Sequence, residues 1–375
     1  MIRLAFILLL VVSSGYYLLF LLKVLRGLKP TAGPRNTTAP MVSVIVAARD
    51  EEPNILQCIT SLSHQSYDSR NYEIIVVDDH SRDRTLALAQ EAAARIEHPA
   101  IRVLTCKDGP DQQGKPAAIS LGVENARGDI IFCTDADCIV PKDWIASMTG
   151  CFTEAVVFVA GPVTEQPAGS FVSKMQALEF LGLITTGAGL IGSGNPIICN
   201  GANIAYRKSA FLAVNGYGED GTFCDDETLM QRMVRRNMGT VVFNFDPSST
   251  VTTSTPETVS GFWHQRTRWA AKRGHYEDKS VLARLIVLYS FFLVLFFSSL
   301  AALVDPVLFI PLLVVLVLKV TAEMIVLRSG ARLFQQRISV WHFVIAELLH
   351  VPYIVFAAFI GQFSALRWKN RALGQ

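Results

Sequence analysis

The chain has 375 residues, a hydrophobic content of 51% and a formal net charge of +2. This length accommodates one domain of roughly 200–250 residues together with membrane helices. The sequence has no basic–aromatic pattern typical of nucleic-acid binding, and its seven cysteines form neither a CxxC pair nor a zinc-type spacing with histidine.

The first predicted element is a transmembrane helix within residues 1–29. Leu4–Leu22 carries no charged residue, and its length is close to the roughly 20 residues that cross a hydrocarbon core. Four basic residues follow this run, whereas only Arg3 precedes it. Because basic residues concentrate on the cytoplasmic side, this asymmetry predicts an inner (plasma) membrane protein with a cytoplasmic middle domain. Residues 30–40, PTAGPRNTTAP, are typical of a linker.

Residues 41–280 alternate short apolar runs with helical patterns. This alternation predicts an α/β domain with a mainly parallel sheet. Ser81 is the predicted N-cap of the second helix. The predicted strands are Val42–Ala47, Ile74–Val77, Ile101–Cys106 and Ile130–Cys133, and the predicted helices are Asn54–Leu62, Thr85–Ile96, Pro116–Glu124, Pro141–Phe152 and Thr228–Arg236.

Acidic pairs end two of the predicted strands. Asp78-Asp79 follows the second strand, and Asp135-Ala136-Asp137 follows the fourth. In parallel sheets ligands bind beyond the carboxyl ends of the strands. The carboxylates of Asp135 and Asp137 suit Mg²⁺ or Mn²⁺ bridging phosphate oxygens. Taken by itself, each pair is more typical of an acidic turn than of a ligand site.

The segment Gly109-x4-Gly114-Lys115 has the spacing of a phosphate-binding P-loop. Such a loop requires Ser or Thr next, but Pro116 follows here. Proline in the first turn fits the start of a helix instead. The sequence therefore argues against P-loop hydrolysis and leaves Lys115 as a candidate neighbour of phosphates.

Asp225-Asp226-Glu227 precedes the last predicted helix of the domain. The helix dipole favours acidic residues there. Alternatively, one of them is a general base, since crowded carboxylates raise the proton affinity of one member.

Gln265-x-x-Arg268-Trp269 lies shortly before the C-terminal apolar segments. Arg268 is suited to a developing diphosphate charge, and Trp269 can pack against a sugar. The same residues are typical of an interfacial helix at the level of lipid headgroups.

Residues 281–375 form the predicted C-terminal membrane region. Leu285–Val304 and Val307–Leu327 are predicted transmembrane helices, and Ile338–Leu366 is a third apolar stretch that either spans the membrane or is re-entrant. Glu347 and His350 would share a helix face. They are either functional groups within the membrane or a polar face packed on the middle domain.

Within the middle domain, Met175–Ile191 is apolar with few charges. It is either a helix lying on the membrane beside the site or a core helix.

Taken in order, these motifs make the chain similar to the membrane-bound family 2 glycosyltransferases, from about Val42 to Arg273. Asp50 and Asp225 stand where the family usually has Asn and Glu. The motifs that carry the resemblance are VSVIVAARDEE (42–52), VVDDHSRDRT (76–85), Gly114-Lys115, Asp135-x-Asp137, NGANIAY (200–206), Asp225-Asp226 and Gln265-x-x-Arg268-Trp269.

The resemblance implies a GT-A fold and a UDP-sugar donor. Glu51 and Asp79 are expected to contact its uracil and ribose. The other residues that the resemblance places at the donor are Asp78, Lys115 and Asp135, with Asp137 and Asp135 holding Mg²⁺ or Mn²⁺. It also implies Asp226, beside Asp225, as the catalytic base, and Gln265, Arg268 and Trp269 at the acceptor and diphosphate.

The expected reaction is transfer of a hexose-type sugar, with inversion, to a hydroxyl of a membrane-associated lipid or lipid-linked glycan. The alternatives are a processive polysaccharide synthase, a non-catalytic subunit of a polysaccharide export complex and a nucleotidyltransferase. The three C-terminal segments favour the lipid acceptor, because they would make a thin channel for a polymer.

Overall fold

The structure is a computed structural model. It describes residues 2–30, 39–107, 109, 114–167, 169–217, 226–255, 258, 261–263, 265–267, 278–361, 367–368 and 371–372. Most of the predicted linker therefore lies outside the described residues.

The described chain places one long helix before the α/β domain and three after it. The helices are α1 (Ile2–Gly27), α2 (Ile55–Ser63), α3 (Thr85–Arg95), α4 (Lys115–Asn125), α5 (Trp144–Thr149), α6 (Phe171–Gly192), α7 (Lys208–Ala213), α8 (Asp226–Arg235), α9 (Lys279–Val304), α10 (Phe309–Leu333) and α11 (Val340–Gly361). The strands are β1 (Val42–Ala48), β2 (Tyr72–Asp78), β3 (Ala100–Thr105), β4 (Ile130–Asp135), β5 (Val156–Ala160), β6 (Val163–Gln166), β7 (Ile204–Arg207), β8 (Thr240–Phe243), β9 (Val251–Ser254), β10 (Arg367–Trp368) and β11 (Arg371–Ala372).

A seven-stranded sheet with the order β3-β2-β1-β4-β7-β5-β8 forms the centre of the domain. β1 is parallel to both β2 and β4, whereas β7 is antiparallel to β4 and β5. Every residue of β1, β2 and β5 is buried. Burial on both faces explains their nearly continuous apolar runs. The predicted mainly parallel α/β sheet is therefore confirmed, and β6 and β9 form a second, parallel pair.

Two local predictions are wrong. Ser81 does not cap α3: Asp83 accepts the Thr85 N–H at 2.9 Å, whereas the Ser81 hydroxyl accepts the Asp50 N–H at 3.1 Å. The helix expected over Pro141–Phe152 is shorter and covers Trp144–Thr149. The first difference arises because a side chain in the connecting loop competes for the cap position, and the second is a loss of three residues at each end of the predicted helix.

Five described helices, namely α1, α6, α9, α10 and α11, are long and apolar enough to cross a membrane. The segment that the sequence left open, α11, is a continuous helix despite Pro352, and its 22 residues extend about 33 Å. In α6, 61% of the apolar window is buried inside the protein, against 22–28% in the other four helices. The structure therefore matches the packed-helix interpretation of Met175–Ile191.

Glycines let α6 approach its neighbours closely. A Cβ on Gly189 would overlap the carbonyl oxygen of Val24 in α1, and a Cβ on Gly27 would overlap that of Gly189. On another side, a Cβ on Gly330 of α10 would overlap the Thr185 side chain of α6. Small residues permit such backbone contact between helices. These contacts tie α6, which belongs to the catalytic domain, to α1 and α10.

A polar cluster lies among the apolar helices. The Lys319 ammonium, 2% exposed, lies 2.9 Å from Glu323 and 2.6 Å from Glu347. It is also 3.2 Å from Nδ1 of His350, and the Tyr17 hydroxyl donates to Glu323 at 2.6 Å. Charges inside membrane helices are expected to pair in this way. Glu347 and His350 thus pack on α10 rather than on the catalytic domain.

Candidate active site

The strand register brings the acidic motifs together at one edge of the sheet. Ala48 at the end of β1 pairs with Asp78, and Ala47 pairs with Asp135. Both acidic residues are the last of their strands and flank the end of β1. The sequence expectation that these carboxylates lie at neighbouring strand ends is therefore met.

Asp79 is fully buried and held from several directions. Its Oδ2 accepts the Gly114 N–H at 3.0 Å and lies 3.5 Å from the Arg49 guanidinium. Its Oδ1 lies 3.0 Å from Nδ1 of His80. Asp79 thereby joins the end of β2 to the start of α4, so it fixes the position of Lys115.

One carboxylate oxygen of Asp78, Oδ1, is buried without a hydrogen-bond partner among the described residues. The other oxygen, Oδ2, accepts the Ser81 N–H at 3.2 Å. An unpaired buried acceptor costs about 1–3 kcal/mol. Such an atom at a strand end is suited to accept a hydrogen bond from a ligand.

The loops after β1 and β2 are connected by backbone-to-side-chain bonds. Asp50 has a φ of 49°, in the left-handed region that Asn and Asp tolerate, and its Oδ1 accepts the Arg82 N–H at 2.8 Å. The Glu51 N–H donates to Thr85 at 2.7 Å, and the Asn54 amide donates to the Glu51 carboxylate at 2.8 Å. Glu51 is thus oriented beside the acidic strand ends. An aspartate suits position 50 because it tolerates the left-handed backbone conformation found there.

Asp135 and Asp137 form the candidate metal centre. Together with Cys138 they offer ligand atoms within 4.8 Å of one another. Thr253 donates to Oδ2 of Asp137 at 3.2 Å. Burial, followed by the charges of Asp135 and Glu51, raises the pKa of Asp137 to about 6. This crowding of carboxylates favours a cation at the site.

The donor set suits a hard divalent ion. Cys138 is a buried thiol, and sulfur is a soft ligand that suits zinc, copper and iron rather than Mg²⁺ or Mn²⁺. The two aspartates remain as oxygen ligands, which Mg²⁺ and Mn²⁺ prefer. The residues present therefore fit the metal that the sequence motif predicts.

Lys115 connects the two acidic halves of the site. Its ammonium lies 2.5 Å from Asp135 and 3.6 Å from Asp226. Burial alone would lower the pKa of Lys115, but the charges of Asp135 and Asp226 raise it above its usual value. Lys115 is thus cationic at neutral pH and lies between the metal motif and the candidate base.

Asp226, the first residue of α8, is 8% exposed. Its Oδ1 accepts the Tyr217 hydroxyl at 2.9 Å. A Cβ on Gly201 would overlap Oδ2 of Asp226, so only glycine allows the loop at 200–203 to lie against this carboxylate. The site therefore presents Asp226 in a fixed orientation.

The segment containing Gln265 is anchored to the long helices. The Arg266 guanidinium donates twice to Glu179 of α6 and once, at 3.0 Å, to the Gln265 side chain. It also lies over the ring of Phe262, 4.8 Å from the centroid. The Tyr353 hydroxyl of α11 donates to Glu179 at 3.3 Å. This network links the segment 261–267 to both α6 and α11.

Three predicted site residues, Asp225, Arg268 and Trp269, lie outside the described residues and stay predictions. Sequence reasoning missed the residues that orient the acids, Tyr217 and Thr253, because single residues of these types form no motif. It also missed the ion pair of Arg266 and Glu179. The signal for it was Glu179, the one acidic residue of a mostly apolar helix, which indicates a buried partner.

Comparisons with known proteins bear on the family and the fold. A family model described as glycosyl transferase family 2 matches residues 43–214, and one described as glycosyl transferase family group 2 matches residues 130–366. The probable glycosyltransferase YdaM of Bacillus subtilis (strain 168) is 27% identical over 245 residues, covering 62% of this chain and 54% of the relative. The poly-beta-1,6-N-acetyl-D-glucosamine synthase of Staphylococcus aureus (strain COL) is 27% identical over 241 residues, with the same coverage. The chain thus spans about half the length of the curated relatives it matches.

One solved structure matches nearly the whole chain. The mannosyltransferase PcManGT from Pyrobaculum calidifontis, in complex with GDP-Man and Mn²⁺, superimposes with a TM-score of 0.62. The match covers 96% of this chain and 98% of that one, at 19% sequence identity. At this identity the likeness concerns the fold, which is the GT-A type that the motifs imply.

Proposed function

The chain belongs to glycosyltransferase family 2, and on that premise we propose that it transfers a hexose-type sugar from a UDP-sugar to a membrane-associated hydroxyl acceptor. The observation that carries the proposal is the position of Lys115, whose ammonium contacts both Asp135 and Asp226. The donor-side motif and the candidate base therefore meet at one point, as a direct transfer between two bound substrates requires.

The donor lies at the carboxyl edge of the sheet in this proposal. The unpaired Oδ1 of Asp78 and the oriented carboxylate of Glu51 bind the nucleoside, and the buried Asp79 holds the loop that carries Lys115. Lys115 binds the diphosphate, since an ammonium forms strong charge-assisted hydrogen bonds with phosphate oxygens.

Asp137 and Asp135 would hold Mg²⁺ or Mn²⁺. Held there, the ion would supply positive charge to offset the charge that develops on the departing diphosphate. Arg268, with Gln265 and Trp269, is proposed to bind the diphosphate and acceptor. This assignment is supported by the neighbouring Arg266, which forms an ion pair with Glu179 of α6 and so holds this part of the chain beside the long helices.

Asp226 is proposed as the general base, with Asp225 beside it. Its carboxylate accepts the proton of the acceptor hydroxyl, and the hydroxyl oxygen forms a bond to the anomeric carbon. The bond between that carbon and the diphosphate oxygen breaks on the opposite face, and UDP leaves with the electron pair. Attack in line with the leaving group inverts the anomeric configuration.

We propose a lipid or lipid-linked glycan as the acceptor, with the catalytic domain on the cytoplasmic side of the inner membrane. The basic residues that follow the uncharged run Leu4–Leu22 and the close packing of α6 on α1 and α10 support this placement. A processive polysaccharide synthase is the second candidate, because one of the matched relatives is a poly-beta-1,6-N-acetyl-D-glucosamine synthase.

A panel of donors tests both candidates. Purified membranes containing the protein are incubated with Mn²⁺ and each labelled UDP-sugar, with GDP-mannose for comparison, and lipid and polymer fractions are separated. The proposal predicts UDP release and label in the lipid fraction. Label in long polymer would favour the synthase, and transfer from GDP-mannose alone would contradict the UDP donor.

A further inference from the structure

One buried carboxyl near the active site is unexplained by the roles above. Glu165 of β6 is 6% exposed, and its Oε2 has no hydrogen-bond partner among the described residues. Buried polar atoms almost always have partners, and an unmade bond is costly. A ligand group is therefore a natural partner for Glu165.

Glu165 lies beside the metal motif. β6 and β9 are parallel, and Glu165 pairs with Thr253, so the two side chains project from the same face of this small sheet. Thr253 donates to Asp137 at 3.2 Å. Glu165 therefore shares a sheet face with Thr253, the residue that donates to the metal motif.

Burial and nearby charges set the protonation state of the Glu165 carboxyl group, and therefore whether it can donate a hydrogen bond or only accept one. Burial raises the pKa of Glu165 to about 7, while Arg266 opposes this and Glu179 and Asp137 add to it. At neutral pH both the protonated and the ionised forms are therefore present. Either form can bind a hydroxyl, which is both donor and acceptor.

A cavity of about 270 Å³ adjoins Glu165 where the catalytic domain meets the long helices; we name it the interface cavity. Its walls come from β6, α6, the connection between α10 and α11, and the first turn of α11. The apolar lining includes Ala177, Leu178, Leu181 and Ile338, and the polar lining includes Lys174 and Arg337. Apolar walls with a few placed polar groups are typical of sites for small amphiphilic ligands.

We propose that the interface cavity admits the acceptor as an amphiphile with a hydroxylated headgroup, and that Glu165 hydrogen-bonds one of its hydroxyls. The inference rests on the proposed function and specifies its acceptor class. α6 and α11, which line the cavity, are long and apolar enough to reach the bilayer, so the alkyl part of such a molecule can remain in lipid while its head reaches Glu165. Glu165 is then an acceptor-binding residue, distinct from Asp226, which takes the proton.

The test uses octyl glucoside as a surrogate acceptor for the full-length protein in lauryldimethylamine oxide, a detergent without hydroxyl groups. UDP release from the active donor is measured with and without octyl glucoside, and the labelled glycolipid is quantified. The variants are Glu165→Leu, Glu165→Gln and the control Gln166→Ala, which changes the exposed neighbour on the same strand.

Glu165→Leu is expected to raise the KM for octyl glucoside about tenfold, equivalent to about 1.4 kcal/mol, while slow hydrolysis of the donor by water changes less than about twofold. Its Tm is expected to equal or exceed that of the wild type, because an unpaired buried acceptor is replaced by an apolar group. Glu165→Gln is expected to retain more of the acceptor affinity, and Gln166→Ala to match the wild type.

Several outcomes would overturn the inference. One is an unchanged KM for octyl glucoside in Glu165→Leu, and another is a wild type that hydrolyses donor but never glycosylates octyl glucoside. Equal losses of donor hydrolysis and transfer in both Glu165 variants would assign the residue to the donor side. If the wild type releases UDP from no donor, the proposed function itself fails, which is a separate result.

Discussion

Replacement of Asp226 by asparagine separates chemistry from donor binding. The side chain keeps its shape, and its amide oxygen can still accept the Tyr217 hydroxyl that now lies 2.9 Å from Oδ1. Lys115 keeps its shorter contact, 2.5 Å, with Asp135. General-base catalysis contributes about 10²–10⁴-fold. We therefore expect the transfer rate to fall by this factor, which corresponds to about 2.7–5.4 kcal/mol in activation free energy.

The assay compares the initial rate of labelled-sugar transfer with donor affinity measured by isothermal titration calorimetry in Mn²⁺. Glu227→Gln is the matched control, because it removes a carboxylate from the same first turn of α8. Donor affinity is expected to change less than about threefold in both variants, since the contact of Lys115 with Asp135 is retained. Transfer by Asp226→Asn at the wild-type rate, or an equal loss of donor binding and transfer, would refute the assignment of the base.

Other predictions concern the metal and the membrane helices. Asp137→Asn is expected to raise the Mn²⁺ concentration for half-maximal activity at least about tenfold, as measured by metal titration after EDTA treatment; an unchanged titration would remove Asp137 from the metal site. Gly189→Ala should destabilise the protein by about 1–3 kcal/mol, because the added methyl group overlaps with α1. The control Gly15→Ala has open space around the added methyl group and should leave the unfolding midpoint unchanged. Equal unfolding midpoints for the two variants would contradict the close contact between α6 and α1. Lys319→Met leaves two glutamates without their cation and should lower the free energy of unfolding by about 3–5 kcal/mol. Thermal unfolding in detergent measures this change, and an unaltered midpoint would mean that Lys319 and the glutamates are not coupled by charge.

The first strands, and the position of the acidic motifs at their ends, were predictable because both depend on the local sequence. Val42–Ala48 and Tyr72–Asp78 are nearly continuous apolar runs, which are typical of parallel strands covered on both faces. Polar residues that immediately follow them must then lie at the ligand-binding edge. The antiparallel strand Ile204–Arg207 was not predicted, because its sequence IAYR includes a charged residue and lacks the run of branched apolar residues that marks Ile74–Val77.

The contacts that complete the site depend on long-range packing. Nothing near Asp226 in the sequence indicates that Gly201 lies against its carboxylate or that Lys115 lies 3.6 Å away. The pairing of Glu179 with Arg266 likewise joins residues far apart in the chain. Ser81 was assigned as a cap from local chemistry, but a hydrogen bond with Asp50 from the neighbouring loop took its place. Local preference decides elements, whereas tertiary contacts decide which polar atoms meet.

The most direct test of the central claim is a balance of UDP against transferred sugar. The purified protein in lipid nanodiscs is incubated with Mn²⁺ and each UDP-sugar, and free UDP and sugar covalently attached to a membrane component are quantified together. We predict that one donor yields UDP and attached sugar in about equal amounts, and that both disappear with EDTA and return with Mn²⁺. Absence of UDP release with every donor, or UDP release without any attached sugar, would contradict the account.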